Sequence, residues 1–298
     1  MKNLLSIEHL DPSQLAELIA SAESVKARRG REEHHPLRNQ VWALIFSKSS
    51  TRTRVSFEVG IRELGGAPIF LSSNDLQLGR GEPIIDTARV LGRMVHGAII
   101  RTYAHRDLEV FAKHSGLPTI NALTDDEHPC QILADLLTIR EKLGGWTDRK
   151  IAFVGDGFSN MARSWLWAAK HLGFPFTIAS PAPYQASASY LDALDAPNVT
   201  VTSDPVEAVD GAHAVNTDVW LSMGQEDQHD KEARFGPYQV NATLLKHAAP
   251  GHLVLHCLPA YRGKEITGEI LEKHAATIFQ QAENRLHAQK AVMARLAA

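Results

Sequence analysis

An alternation along the chain constrains the fold more than any other feature. From Val41 onward, short apolar runs at residues 41–46, 68–71, 98–103 and 118–121 are separated by segments whose apolar side chains recur at helical spacing. A polar break at 146–149 follows, and then the pattern resumes with runs at 151–154, 174–179, 199–202, 214–219 and 253–257. Strands joined by helix-length connections pair in parallel, and their sheet needs helices on both faces. The expected fold is therefore α/β, with two doubly wound parallel-sheet domains in series, 1–145 and 146–298. At 298 residues the chain is long enough for two cores. Before the first strand, Asp11-Pro12 opens a helix whose Leu15, Leu18, Ile19, Ala22 and Val25 share one face.

The first apolar run leads into Phe46-Ser47-Lys48-Ser49-Ser50-Thr51-Arg52-Thr53-Arg54, and an amphipathic helix follows. Strand, loop and helix in that order would set the hydroxyls of Ser50, Thr51 and Thr53 and the Arg52 guanidinium at a helix N-terminus. Free N–H groups and the helix dipole favour an anion there. Ser and Thr also cap helices with no ligand involved, so the stretch by itself leaves both readings open. Glycine is absent between Ser47 and Val59, which excludes a Walker-type nucleotide loop.

Composition narrows the partners. A formal net charge of −3 gives no general attraction to nucleic acid or to an acidic membrane surface, so small molecules and further copies of the chain are the expected partners. Neither a signal-peptide pattern at the N-terminus nor a spanning-length apolar stretch is present, and a cytoplasmic location is expected. Cys130 and Cys257, the two cysteines, sit in separate motifs and are expected to be free thiols. None of the fifteen histidines stands at zinc-ligand spacing, and no metal is expected.

Gly155-Asp156-Gly157 after the strand at 151–154 raises a dinucleotide-binding alternative. The third glycine is missing, however, and the next strand ends in Ser180-Pro181 rather than in an acid that could hold a ribose. Further along, His128 and Gln131 flank Pro129 at a helix start, Arg101 ends a strand, and Asp218 and Cys257 stand at two more strand ends. Such positions face the crevice where parallel sheets bind ligands.

Three segments, Ser50-Thr51-Arg52-Thr53-Arg54 within SSTRTRVSFE, HPCQILADLLT from His128, and HCLPA from His256, occur in this order in the aspartate and ornithine carbamoyltransferase family, and the chain resembles that family over nearly its whole length. The resemblance implies that Ser50, Thr51, Arg52, Thr53 and Arg101 hold carbamoyl phosphate. It also implies that His128, Gln131, Arg285 and the Leu258 carbonyl meet the carbamoyl group, with Cys257 near the reacting amine. Gln77 matches the residue of a loop that reaches a neighbouring subunit of a trimer. Ser222-Met223-Gly224 marks the ornithine-specific members, so Asp218, Ser222, Met223 and Asn160 are implied to bind L-ornithine. The implied reaction gives L-citrulline and phosphate without a cofactor, with arginine biosynthesis as the expected setting; a carbamoyltransferase for another amine such as putrescine and a catabolic ornithine enzyme are the alternatives that the sequence leaves open. The terminal helix from about 284 is implied to pack back on the first domain.

Overall fold

The computed structural model describes residues 1–31, 34–72, 81–221 and 229–298. These residues form two compact units, Met1–Leu137 with Glu283–Ala298 and Thr138–Ala282.

In the first unit, helix α1 (Pro12–Ala27) precedes β1 (Val41–Phe46), α2 (Thr51–Glu63), β2 (Ala67–Ser72), α3 (Ile84–Leu91), β3 (Gly97–Arg101), α4 (His105–Ser115) and β4 (Thr119–Leu123). The strands make one parallel sheet in the order β2-β1-β3-β4. β1 is buried from Trp42 to Phe46, as a central strand covered on both faces must be, whereas β2 at the edge alternates between exposed and half-buried residues. Ala43, Ile45, Ala98 and Ile100 pack with Leu108 and Phe111 of α4. Gly97 is where β3 passes the Trp42 indole, and a Cβ there would lie 2.5 Å from the ring, so only glycine permits that pairing.

The second unit contains β5 (Ile151–Val154), α6 (Asn160–Leu172), β6 (Phe176–Ala179), α7 (Ala188–Leu194), β7 (Val199–Thr202), α8 (Pro205–Val209), β8 (Ala214–Thr217), α9 (His229–Phe235), β9 (Leu253–His256) and α10 (Gly268–Lys273). Its parallel sheet has the order β7-β6-β5-β8-β9. Ala152, Val154, Val215 and Val254 face a cluster that includes Trp220, Phe235, Ile270 and Leu271. Trp165 of α6 stacks on Phe176 with ring centroids 5.8 Å apart.

Helices α5 (Pro129–Leu143) and α11 (Ala275–Ala297) each contribute residues to both units. The terminal helix starts at Ala275, ahead of the expected 284, because 275–283 is a run of good helix formers that buries Ile278 and Gln281. Its last part, Glu283–Ala298, belongs to the first unit, where Asn284 Oδ1 accepts from Lys26 Nζ at 2.8 Å and Lys290 Nζ meets Glu63 Oε2 at 2.7 Å. Among the described residues no helix is long and apolar enough to cross a membrane.

Candidate active site

In the first sheet, β1 leads outward to β2 on one side while β3 lies on its other side, so the direction of winding reverses between β1 and β3. Ligands of doubly wound sheets bind at the carboxyl ends of the strands at such a point. The carboxyl end of β1 runs into the Ser50–Thr53 stretch and that of β3 ends in Arg101, with Phe46 and Arg101 in register and Ser47 N–H donating to the Arg101 carbonyl at 2.8 Å.

Ser50 is the N-cap of α2, and its hydroxyl accepts from Thr53 N–H at 3.3 Å. The N–H groups of Thr51 and Arg52 in the first turn point out of the helix end, as helix geometry requires. Thr51 is exposed, Arg52 half-buried and Thr53 buried. Lys48 is also buried; it is paired with Asp125 and lies 4.2 Å from the Tyr103 ring centroid, adding positive charge that the motif reading had not assigned.

Arg285 closes this cradle from α11. Its guanidinium donates to Thr53 Oγ1 at 3.1 Å and to Gln131 Oε1 at 2.6 Å. Gln289, with its amide oriented to satisfy both ends, accepts from Arg285 and donates to Ser56 Oγ at 2.7 Å. The Thr53 hydroxyl accepts from Arg285 and keeps its own proton for a ligand oxygen. Gln131 gives its Nε2 hydrogen to Asp135 Oδ1 at 2.7 Å, and its Oε1 retains a second lone pair for an incoming N–H. Asp135, which entered the sequence reading only as part of HPCQILADLLT, is thus a buried residue that supports Gln131.

His128 is 5% exposed, and its pKa lies well below the ordinary value of 6.5: loss of hydration is the main cause, and the Arg285 and Arg101 charges push the same way. The imidazole is therefore neutral at neutral pH. Cys130, between Pro129 and Gln131 and fully buried, is inert. Burial raises its pKa to about 12, and its thiol donates to the Asn121 carbonyl at 3.4 Å.

In the second sheet the winding reverses between β5 and β8. β5 leaves through Gly155-Asp156-Gly157 to Ser159, which caps α6 by accepting from Ala162 N–H at 3.2 Å, and Asn160 is the first residue of that helix. β8 leaves through Asp218, and β9, in register with it at Thr217 and His256, leaves through Cys257. The Cys257 thiol donates to Asp218 Oδ1 at 2.9 Å, and Val219 N–H donates to the same oxygen at 2.8 Å. The pKa of Asp218 is raised, chiefly by loss of hydration, against the lowering influence of His256 and of these hydrogen bonds. A carboxylate held this way gains from an ammonium partner.

His256 fixes the turn that follows. Its Nε2 meets Glu265 Oε1 at 3.0 Å and its Nδ1 accepts from Leu258 N–H at 2.9 Å, while Glu265 Oε1 also accepts from Tyr261 N–H at 2.7 Å. Glu265 lies in a polar stretch without periodicity, so no sequence signal marked it. Donor atoms of Asp218, His256 and Cys257 come within 4.8 Å of one another, a grouping that sequence spacing did not reveal, but both imidazole nitrogens are already engaged. In the glycine turn, Gly157 N–H donates to Ser180 Oγ at 3.0 Å and Asp156 is paired with Lys231, so these groups serve the protein rather than a pyrophosphate. Gln77, Ser222 and Met223 lie outside the described residues.

Each unit thus carries polar groups at its own switch point: a capped helix end with buried cationic and hydroxyl groups in the first and a carboxylate beside a thiol in the second. Together they fit the class of two-domain α/β enzymes that bind small polar ligands at the strand ends. Residues 2–141 match the family description "Aspartate/ornithine carbamoyltransferase, carbamoyl-P binding domain", and residues 147–296 match "Aspartate/ornithine carbamoyltransferase, Asp/Orn binding domain". The chain belongs to the aspartate/ornithine carbamoyltransferase family.

Among its relatives, the ornithine carbamoyltransferase of Akkermansia muciniphila is 65% identical over 100% of this chain and 98% of its own length. The anabolic ornithine carbamoyltransferase of Pseudomonas aeruginosa is 48% identical, covering 98% and 96%. The crystal structure of the anabolic enzyme from Campylobacter jejuni superposes with a TM-score of 0.92 at 41% identity, covering 99% of both chains.

Proposed function

We propose that this chain transfers the carbamoyl group of carbamoyl phosphate to the δ-amine of L-ornithine, giving L-citrulline and phosphate. The observation that carries the first half is Arg285 bound to both Thr53 and Gln131 at the capped N-terminus of α2, beside neutral His128. The acceptor follows from Asp218 beside Cys257, from Ser222-Met223-Gly224 in the sequence, and from the full-length likeness to proteins named ornithine carbamoyltransferase.

In this reading the domain 1–145 binds carbamoyl phosphate and 146–298 binds ornithine. Ser50, Thr51, Arg52 and Thr53 hold the phosphate, and Arg101, His128, Gln131, Arg285 and the Leu258 carbonyl hold the carbamoyl group. Asp218 takes the α-ammonium and Asn160 the carboxylate, with Ser222 and Met223 completing that end. The neutral δ-amine attacks the carbamoyl carbon, the new C–N bond forms, and the C–O bond to phosphate breaks as negative charge on the carbamoyl oxygen is met by Thr53, Arg101, His128 and Arg285. Orientation and preorganised electrostatics supply the catalysis.

The δ-amine, with an aqueous pKa of roughly 10.4, must give up a proton first, which at neutral pH costs a few kcal/mol. Activity accordingly rises into the alkaline range. Gln77 serves the neighbouring subunit of a homotrimer, and the setting is cytoplasmic arginine biosynthesis, in keeping with the anabolic relatives. The test is citrulline formation from purified protein, carbamoyl phosphate and L-ornithine, with putrescine and L-aspartate as competing acceptors. Faster carbamoylation of either competitor would refute the assignment.

A further inference from the structure

Within the first unit, the part of α11 that carries Arg285 lies against one face of α2, and polar contacts recur along the seam. Thr53, Ser56, Gly60 and Glu63 share that face of α2 at helical spacing, and Arg285, Gln289 and Met293 share the facing side of α11. Arg285 meets Thr53, Gln289 meets Ser56, and Lys290 Nζ meets Glu63 Oε2 at 2.7 Å, so the contacts advance in the same sense along both helices. Gly60 sets the distance between them: a Cβ there would lie 3.0 Å from Met293 Cε, 3.2 Å from Lys290 Cγ and 3.4 Å from Leu286 Cδ1.

Close approach alone does not fix how far α11 is advanced along α2. Arg285 does not hold itself in place, because its hydrogen bonds only offset the lost hydration of a guanidinium that is 4% exposed. Leu286 and Met293 are flexible apolar chains that can fill the Gly60 notch at more than one offset. The Lys290 ammonium is different: it is 0% exposed, so a slide that parts it from Glu63 finds no water to replace the carboxylate. Glu63 is anchored in turn just beyond α1, where its Oε1 accepts from Arg29 Nε at 3.0 Å and from Arg29 Nη2 at 2.9 Å. Its side chain is 23% exposed, so Glu63 keeps Arg29 and water even when Lys290 is replaced. An apolar side chain of similar volume commonly gives equal or greater stability than a buried lysine, and the best-attested use of such a pair is to fix register.

We propose that Lys290 and Glu63 are positioning residues: their ion pair sets the register of α11 on α2 in which Arg285 reaches both Thr53 and Gln131. The inference rests on reading Arg285 as a group that meets the carbamoyl oxygen. Neither member of the pair touches a reacting atom, so both act on the reaction through Arg285.

The experiment uses the full-length enzyme and the variants Lys290→Met, Glu63→Gln, those two combined, Arg285→Met, and Lys290→Met combined with Arg285→Met. Each is measured for kcat, thermal stability and the His128 titration by NMR. Lys290→Met removes a buried charge and leaves Glu63 paired, so stability should hold or rise while kcat falls by about tenfold or more. Glu63→Gln takes this carboxylate from the buried ammonium, so stability should fall, and kcat should fall as in Lys290→Met. The combined pair variant should regain stability and keep the low kcat, whereas a merely structural pair would make kcat follow stability. In the Arg285→Met background, Lys290→Met should cost less than about threefold in kcat, because its effect passes through Arg285. His128, whose pKa the Arg285 charge depresses, should titrate higher in both single pair variants. Those two change the net charge in opposite senses, so a long-range field would move His128 in opposite directions. Where Arg285→Met loses activity, a folded Lys290→Met or combined pair variant with kcat within about threefold of wild type overturns the proposal, as does an equal loss from Lys290→Met in both backgrounds. If Arg285→Met itself keeps kcat within about threefold, the functional reading beneath fails, and the titration decides the register: a rise in both single pair variants upholds it, and a His128 pKa that stays or splits overturns it.

Discussion

Arg285→Met tests whether the cradle is built for chemistry or for stability, because the structure sets these two effects apart. Among the hydrogen bonds that the substitution removes, the charge-assisted pair to Thr53 Oγ1 and Gln131 Oε1 is together worth about 3–6 kcal/mol. It also removes a guanidinium that is only 4% exposed, whose loss of hydration costs several kcal/mol in the folded state. The two contributions largely offset, so unfolding free energy should change by no more than about 2 kcal/mol. The reaction has no such offset: losing a preorganised donor to a developing oxyanion costs about 2.7–4 kcal/mol, which is about 100- to 1000-fold in kcat.

A second signature accompanies the rate. Arg285 is one of two charges that depress the His128 pKa, so in the variant His128 should titrate at higher pH, although burial will still keep it below its ordinary value. The assays are steady-state kcat, urea unfolding, and the His128 titration followed by NMR. A folded Arg285→Met enzyme with kcat within about threefold of wild type, or with a His128 titration that stays in place, would refute the argument.

Asp218→Asn should raise ornithine KM steeply and leave carbamoyl phosphate binding nearly unchanged, and carbamoylation of putrescine should suffer less because a diamine has no α-ammonium–carboxylate end; equal losses on both amines would count against the assignment. Arg52→Ala subunits mixed with Gln77→Ala subunits should regain activity in verified mixed trimers, since a loop that crosses subunits puts an intact Arg52 cradle next to an intact Gln77; recovery no greater than the sum of the parents would rule out a shared site. His274, whose pKa is pushed down to about 4 mainly by loss of hydration, stays neutral in the folded chain while the unfolded chain takes up a proton near 6.5. The folded state therefore loses stability as pH falls from about 6.5 towards 4, and His274→Asn should flatten that fall in urea titrations at stepped pH, whereas an unchanged slope would remove His274 as its source.

The sequence by itself determined whatever depends on neighbours along the chain. Ser50 caps α2 because a hydroxyl three residues before a free N–H meets it in any helix, so the anion cradle was legible from SSTRT alone. The apolar runs gave the strands and their parallel pairing, since they are too short for spanning helices and too far apart for hairpins. Boundaries were less legible. The run beginning at Phe174 joins its ladder only at Phe176, because Pro175 has no N–H to give, and β8 ends at Thr217, where its partner β9 ends, rather than at Val219.

Only the tertiary structure decided which distant groups meet. Arg285 and Thr53 are 232 positions apart, and nothing local to either one encodes the hydrogen bond between them. That bond exists because Glu283–Ala298 packs against the first unit, a consequence of burying one helix face that many side chains share. Asp218 meets Cys257 because β8 and β9 are neighbours in the sheet, and strand order is set by packing and crossover sterics, not by the residues at the strand tips. The supporting roles of Asp135, Glu265 and Lys231 could not be read from the sequence for the same reason: a charge looks solvated until the fold places its partner beside it and takes the water away.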